Sequence, residues 1–305
     1  MRTEGQRRSS NFEDRGSGRN GGGRGGVPVQ ALAGLVRLLG VKGTLIAGLV
    51  MAAAFVVMPA GLKQQILGAL TGSGEGIPSE PGAASVCEAS PANGAACDFS
   101  RVVLASTEDV WTPLFARGAL PTYGSAPGAY QHPTLVVFAN GVSTGGCGDA
   151  TSAVGPFYCP ADQKLYIDPG FYGVMEQRLR APGDFAQAYV IAHEVGHHVQ
   201  NLIGATKLQP RGESNQTSVR VELQADCLAG VWGRSARSAL EITDEDLDEA
   251  LTAAHAIGDD TLGHSDERTF THGSSEQRKR WFRRGFESGA AHQCDTFAVQ
   301  NYREL

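Results

Sequence analysis

The sequence predicts an α+β fold: a mainly helical domain with a small β-sheet, preceded by one transmembrane helix and a disordered N-terminal tail. Three observations support this prediction. Several segments in the second half of the chain repeat apolar residues at the three- and four-residue spacing of an amphipathic helix. Two short apolar runs have the length and composition of buried strands. The start of the chain combines a glycine- and arginine-rich stretch with a long uncharged run.

Composition and charge describe an ordinary globular protein with an uneven charge distribution. The 305 residues are 41% hydrophobic and 19% charged, which is enough to build a core. Residues 1–42 carry eight Arg or Lys against three Asp or Glu, a local balance of +5. Because the whole chain carries −6, the remainder carries −11. Such an acidic remainder does not predict a nucleic-acid-binding surface.

Residues 1–30 are predicted to be a disordered cytoplasmic tail. They are rich in Gly and Arg, and Phe12 is their only aromatic residue. A stretch of this composition buries too little apolar surface to offset its ordering entropy. Its arginines could contact RNA or anionic lipid, but we favour a solvated tail that sets the orientation in the membrane.

Residues 31–63 form the predicted membrane anchor. Gly43 to Leu62 is a run of twenty uncharged residues, which as a helix would span about 30 Å, the thickness of a hydrocarbon core. The positive charge before this run predicts a single-pass protein of the cell membrane, with a cytoplasmic N-terminus and an exported C-terminal region. A cleaved signal peptide and a buried soluble helix are the alternatives. The run is longer than a cleaved signal peptide requires. It also lacks the polar stripe that a helix on the surface of a soluble domain shows.

Residues 64–86 carry Gly, Ser and Pro and are predicted to link the anchor to a domain over residues 87–305. All six cysteines lie in that domain, on the predicted exported side, and this favours disulfides. Cysteine-ligated structural zinc is the competing interpretation, and the absence of a C-x-x-C motif disfavours it. Six cysteines allow fifteen pairings. Sequence proximity favours Cys87–Cys97, Cys147–Cys159 and Cys227–Cys294.

Within the domain, periodicity and turn residues place the main elements. Asp184 and Gln187 predict a capping box at the start of one helix, and Gly204 predicts its end. The glycine-rich stretch at 141–150 lacks the spacing of a phosphate-binding loop and is predicted to be a turn. Helices are predicted at residues 99–115, 184–203, 218–236, 243–257 and 274–288, and strands at 134–139 and 163–168.

The segment AYVIAHEVGHHV contains the H-E-x-x-H pattern at His193, Glu194 and His197. Residues four apart lie on one face of a helix, so both imidazoles can reach one zinc ion. Glu194 flanks the position left for water and can accept its proton. Gly196 weakens a helix by about 1 kcal/mol relative to Ala, which predicts a packing or functional reason for it. The alternative is a core helix whose histidines only hydrogen-bond to neighbours.

A catalytic zinc needs a third protein ligand and an open position. The stretch VELQADCLAG offers Glu222 and Asp226, four apart on one face of another helix. We predict that Glu222 binds zinc and that Asp226 accepts a hydrogen bond from a ligand histidine, which would fix its tautomer. A solvated helix face is the alternative, but the segment is too apolar to favour it.

HEVGHH followed by ELQADCLAGVW resembles the gluzincin type of zinc metallopeptidase, with H-E-x-x-H and a downstream E-x-x-x-D. The stretches FYCPADQKLYID, AIGDD, FTHGSSEQR and GFESGAAHQCDTF resemble the bacterial putative neutral zinc metallopeptidase family, typified by the YpfJ-like proteins. The resemblance runs from about Phe99 to Phe297 and implies a zincin-like metallopeptidase domain that acts on a peptide or protein substrate. It also implies one Zn²⁺ ion, with His193, His197 and Glu222 as ligands, Glu194 as base and Asp226 as support.

Several further residues have weaker patterns. His272 could donate a hydrogen bond to the oxyanion that forms during amide hydrolysis, or it could orient the start of the last helix. His198 points away from the other two histidines and is predicted to be structural. Asp259 and Asp260 could cap a helix or support the site. The strand at 163–168 could offer an edge to an extended peptide.

These patterns predict hydrolysis of peptide bonds by a zinc-activated water, with Glu194 as general base. Two alternatives belong to other classes of protein. One is a membrane-anchored binding or scaffold protein in which zinc is purely structural. The other is a zinc amidase that acts on cell-wall material. The sequence indicates no nucleic-acid partner and leaves the oligomeric state open.

Overall fold

The computed structural model describes residues 1–17, 84–124, 126–208 and 214–305. These residues belong to one unit. The predicted membrane anchor and most of the predicted linker lie outside them. Among the described residues, no helix combines the length and apolarity that a membrane span requires.

The described chain is mainly helical and contains two small sheets, as an α+β fold requires. Its six longer helices are α1 (Pro91–Ala116), α2 (Phe171–Gln177), α3 (Asp184–Ile203), α4 (Ser214–Ala236), α5 (Asp244–Ala256) and α6 (Ser275–Ser288). Its strands are β1 (Phe12–Ser17), β2 (Thr134–Ala139), β3 (Gly141–Ser143), β4 (Asp149–Thr151), β5 (Phe157–Cys159) and β6 (Lys164–Ile167).

The larger sheet has the strand order β1-β2-β6-β5. β1 and β6 both run parallel to β2, whereas β5 is antiparallel to β6. The sequence-based prediction that strand 163–168 offers a free edge is therefore wrong, because β6 is paired on both sides. β5 forms that edge of the sheet instead. The predicted turn at 141–150 contains the β3–β4 hairpin.

The prediction of a disordered tail is wrong for residues 1–17. Their stabilisation is polar, so an apolar pattern could not reveal it. Arg8 binds both carboxylate oxygens of Asp98 on α1, at 2.9 and 2.6 Å. Asp14 accepts hydrogen bonds from the backbone N–H groups of Val86 and Cys87. Two of the arginines that predicted an orientation-setting tail, Arg7 and Arg8, instead pair with acidic residues of α1.

Helix starts also differ from the predictions, and α4 begins at Ser214 rather than at the predicted residue 218. α1 begins at Pro91, eight residues before the predicted start, because Ser90 caps it by accepting the N–H of Asn93. The capping box predicted from Asp184 is wrong, since the N-cap is Gly183 and Asp184 instead binds the α-amino group of Met1 at 3.0 Å. α5 and α6 do have capping boxes.

The core lies where α4 packs against α3 and α6. A Cβ at Gly285 would lie 1.9 Å from the carbonyl oxygen of Cys227, so glycine permits the close approach of α6 to α4. Phe185 stacks on Trp232 between α3 and α4. The disulfide Cys227–Cys294 joins α4 to the chain beyond α6. All three disulfides are the pairs that sequence proximity favours.

Candidate metal centre

The packing of α3 against α4 creates the candidate site. At their contact, a Cβ on Gly196 would lie 2.9 Å from the carbonyl oxygen of Ala225 and 3.1 Å from its Cα. The glycine in the H-E-x-x-H segment therefore has a packing reason: it lets the two helix backbones approach each other. This approach brings one turn of α3 next to one turn of α4.

Three potential metal ligands converge at this contact. His193 Nε2 lies 3.2 Å from one carboxylate oxygen of Glu222, and His197 Nε2 lies 3.5 Å from the other. A ligand atom from each of the three residues lies within 4.8 Å of the others. His193 and Glu222 are largely buried, at 7% and 18% side-chain exposure. The helices thus bring together the three residues that the sequence predicted as ligands.

The separations fit a small tetrahedral cation. Bonds of about 2.1 Å to a tetrahedral ion place neighbouring ligand atoms about 3.4 Å apart. Each histidine nitrogen lies close to that distance from one of the two Glu222 oxygens. Two imidazoles and one carboxylate are also a donor set typical of catalytic zinc, which leaves a position for water.

Asp226 fixes the orientation of His193. Its Oδ1 lies 2.8 Å from His193 Nδ1, so Nδ1 carries the proton and Nε2 faces the ligand cluster. The same carboxylate accepts two hydrogen bonds from Arg278, from Nε and from a terminal nitrogen, both at 2.9 Å. Tyr189 donates its hydroxyl to Asp226 at 2.5 Å. All four groups are buried.

Gln200 orients the second histidine. Its Oε1 lies 2.8 Å from His197 Nδ1, which leaves Nε2 of that ring facing Glu222. Its amide nitrogen donates to the carbonyl of Val221 and to Gln224 on α4. Neither Gln200 nor Arg278 is among the site residues predicted from the sequence. Both are polar residues on the apolar face of a helix, and that signal could have identified them.

The pKa values reflect this clustering of opposite charges. Burial lowers the pKa of His193, but the charge of Asp226 outweighs it and raises the pKa to about 10. Burial also opposes ionisation of Glu222, yet the charge of His197 and the contacts with both histidines hold its pKa well below the usual range. Because a metal binds the neutral imidazole, its binding would displace a proton from the cluster.

Glu194 and His272 line the same cleft as the three potential ligands, a cavity of about 630 Å³. The His272 side chain is 50% exposed, and its Nδ1 lies 3.3 Å from Asp259. Asp259 accepts the backbone N–H groups of Thr271, His272 and Gly273, which fixes this loop at the edge of the cleft. Asp260 instead accepts the N–H and the hydroxyl of Ser275 at the start of α6.

A second acidic group consists of Asp184, Asp246 and Glu249. The α-amino group of Met1 lies 3.0 Å from Asp184 and 2.8 Å from Asp246, and Glu249 accepts the N–H of Phe185. Its carboxylates therefore already have cationic or N–H partners. Its all-oxygen donor set also differs from that of the His193 cluster.

Comparison with known proteins relates the whole chain to one family. The family model described as putative neutral zinc metallopeptidase matches residues 1–297. The uncharacterized protein YpfJ of Escherichia coli K12 is 43% identical over 309 aligned positions, covering 97% of this chain and 99% of that protein. The uncharacterized protein Rv2575 of Mycobacterium tuberculosis is 41% identical over 212 positions, covering 64% of this chain and 68% of that protein. No solved structure matches the chain. The chain belongs to the putative neutral zinc metallopeptidase family.

Proposed function

We propose that this protein is a zinc-dependent metallopeptidase with a zincin-like site, and that one zinc ion binds His193, His197 and Glu222. The observation that carries the proposal is the convergence of these three side chains in the cleft that Glu194 also lines. A bound zinc ion would polarise the scissile carbonyl and lower the pKa of a water molecule.

The side chains around the ligand cluster have distinct roles in this proposal. Glu194 accepts the proton of the attacking water and later delivers it to the leaving amine. Asp226 and Gln200 hold the two imidazoles with Nε2 facing the cluster. His272 donates a hydrogen bond to the carbonyl oxygen as negative charge develops on it.

The cleft supports an enzyme over a scaffold protein with purely structural zinc. Structural zinc sites are closed by four protein ligands, whereas three potential ligands converge here beside a cavity. We further propose attachment to the cell membrane through residues 31–63, which lie outside the described residues. The three disulfides favour an exported domain.

The proposal is tested with the purified protein, a proteome-derived peptide library and a chelator. Glu194→Gln should retain zinc and lose cleavage, whereas Glu222→Ala should lose zinc, as measured by elemental analysis. Glu245→Gln changes an exposed glutamate on α5 in the same way and should leave both readouts unchanged. Full cleavage by Glu194→Gln would refute the assignment. Release of products from peptidoglycan alone would favour the cell-wall amidase.

A further inference from the structure

The cleft beside the metal cluster is mainly apolar. Its walls include Phe171 and Met175 of α2, Val190 of α3, and Ala253 and Ile257 from α5 and the residue after it. The charged side chains that line it are few: Glu194, Glu222 and Arg278. The first two belong to the proposed catalytic site.

Arg278 is not free to bind a substrate carboxylate. Its guanidinium is 2% exposed and donates to Asp226, Tyr189 and the carbonyl of Ile257. The described residues of the lining therefore offer no unoccupied Arg or Lys for the carboxyl terminus of a peptide. They also offer no carboxylate beyond Glu194 and Glu222 for an amino terminus. Exopeptidases need such a group, since the cost of burying an unpaired terminal charge is high.

Exposed apolar residues mark the rim of the cleft. In the described part of the chain, two large hydrophobic residues are exposed, Val154 at 63% and Leu262 at 53%. Both line this cleft. Exposed apolar surface that continues into a cavity is typical of a binding site for an apolar partner.

Two residues of the strand β5 border the cleft. Phe157 and Tyr158 of this strand line it, and β5 pairs on one side with β6. No other described strand pairs with its second side. A peptide in extended conformation can add to such an edge through main-chain hydrogen bonds.

We propose that the substrate is an extended peptide segment cleaved internally next to large aliphatic or aromatic side chains. This inference depends on the proposed peptidase activity and names its substrate class. β5 binds the peptide backbone, the walls of the cleft bind an apolar side chain, and neither terminus of the peptide is recognised.

Peptides with blocked termini test the proposal in two assays. Cleavage by the zinc-loaded protein should favour a central Leu or Phe over Ser or Asp by roughly 10–100-fold in kcat/KM, the range expected from burying one large apolar side chain. Free termini should not increase the rate. Zinc-loaded Glu194→Gln should bind the same peptides with the same preference.

The binding assay with Glu194→Gln separates the proposed peptidase activity from the proposed substrate class. Binding with an apolar preference but no cleavage by the wild type refutes the peptidase and leaves the cleft assignment intact. Cleavage without an apolar preference, or only at a free terminus, refutes the substrate class. Leu262→Ser and Val154→Ser alter exposed side chains, so both variants should fold normally. Each should lose about 10-fold in kcat/KM on the peptide with a central Leu but not on the peptide with a central Ser.

A different observation carries a second inference, which concerns residues 1–17. Glu108 of α1 is 2% exposed and accepts hydrogen bonds from the Ser9 hydroxyl and the Asn11 amide, at 2.5 and 2.7 Å. Arg7 pairs with its second oxygen at 2.8 Å. Without this segment, the buried carboxylate would keep, among its contacts with described residues, only the one with His132 at 3.9 Å. Leaving a buried charge without partners is strongly destabilising.

We infer that residues 1–17 fold in the same compartment as the metal centre. β1 forms a sheet with β2, and two strands on opposite sides of a membrane cannot exchange hydrogen bonds. This inference revises the single-pass arrangement predicted from the sequence, in which the N-terminus is cytoplasmic and the domain is exported. The membrane attachment that we propose through residues 31–63 is then not a single crossing.

Cysteine labelling in intact cells tests this inference. The six native cysteines are all in disulfides, so Ser10→Cys and Ser238→Cys each introduce one exposed thiol. A membrane-impermeant maleimide should label both variants, or neither until the cells are permeabilised. Labelling of one variant alone in intact cells would overturn the inference.

Discussion

Gly196 of α3 lies so close to Ala225 of α4 that a Cβ at position 196 would be 2.9 Å from the Ala225 carbonyl oxygen. His193, His197 and Glu222 surround this contact along the two helices. The distance between the imidazoles and the carboxylate therefore depends on a close approach of the backbones, and only a glycine permits it.

Gly196→Ala should push the helices apart and cost about 1–3 kcal/mol of stability, as overpacking does in a well-packed core. Zinc affinity should fall with it. Urea unfolding of the zinc-free protein and competition with a chromophoric chelator measure the two effects. Gly173→Ala on α2 is the control, because its Cβ would have no atom within 4 Å and the change should be neutral or stabilising. Unchanged zinc affinity in Gly196→Ala would contradict the packing argument.

The sequence predicts those parts of the site that depend on local spacing. His193 and His197 are four apart on one helix, and the Glu222–Asp226 pair repeats this spacing on another, so their faces follow from helix geometry. Arg278 lies 52 residues from Asp226, and its partner depends on how α6 packs on α4. Arg278 lies on the apolar face of α6 that carries Phe282, and this position is the only feature of the sequence that indicates its burial.

The N-terminal strand β1 was not predicted because its sequence lacks the pattern of a buried strand. Its sequence, FEDRGS, has almost no apolar pattern. Glu13 binds Lys164 at 2.6 Å and Asp14 binds residues 85–87, so polar partners distant in sequence hold the strand in place. Hydrophobic periodicity cannot reveal a strand of this kind.

Arg278→Met should remove the guanidinium that pairs with the buried Asp226 carboxylate and cost about 3–5 kcal/mol of stability. The double variant Asp226→Asn, Arg278→Met removes both charges and should recover much of this loss. Zinc affinity should not recover, because His193 has then lost its carboxylate partner, a change that typically costs 10–100-fold. A double variant that regains both stability and zinc affinity would show that the carboxylate does not orient His193.

His272→Ala should lower kcat by about 10²–10³ and change KM only a few-fold, because the imidazole contacts the substrate oxygen mainly in the transition state. Steady-state kinetics on one peptide measures both constants. His264→Ala removes an exposed histidine that does not line the cleft and serves as the control. If His272→Ala lowers the unfolding midpoint and leaves kcat unchanged, His272 only orients the start of α6.

His198 faces away from the metal cluster and predicts a pH dependence of stability. Its Nε2–H donates to the carbonyl of Gln131 at 2.6 Å, and its Nδ1 accepts from the Tyr158 hydroxyl. Burial lowers the pKa of His198 to about 4. In the unfolded chain the His198 imidazole binds a proton near pH 6.5, whereas in the folded chain this ring stays neutral down to about pH 4. The contribution of His198 to stability is therefore full above pH 6.5 and falls by about 1.4 kcal/mol per unit as the pH drops towards 4.

Urea unfolding of the zinc-free protein between pH 4 and pH 8 measures this effect. His198→Gln should be less stable than the wild type at pH 7, and the difference should shrink by about 3 kcal/mol as the pH falls to 4. His193 and His197 do not interfere, because their raised pKa values affect stability only above pH 6.5. The exposed His264 gives a control in His264→Gln, whose stability should follow the wild type at every pH. If the free energies of unfolding of His198→Gln and the wild type change in parallel with pH, the fold does not hold the His198 ring neutral.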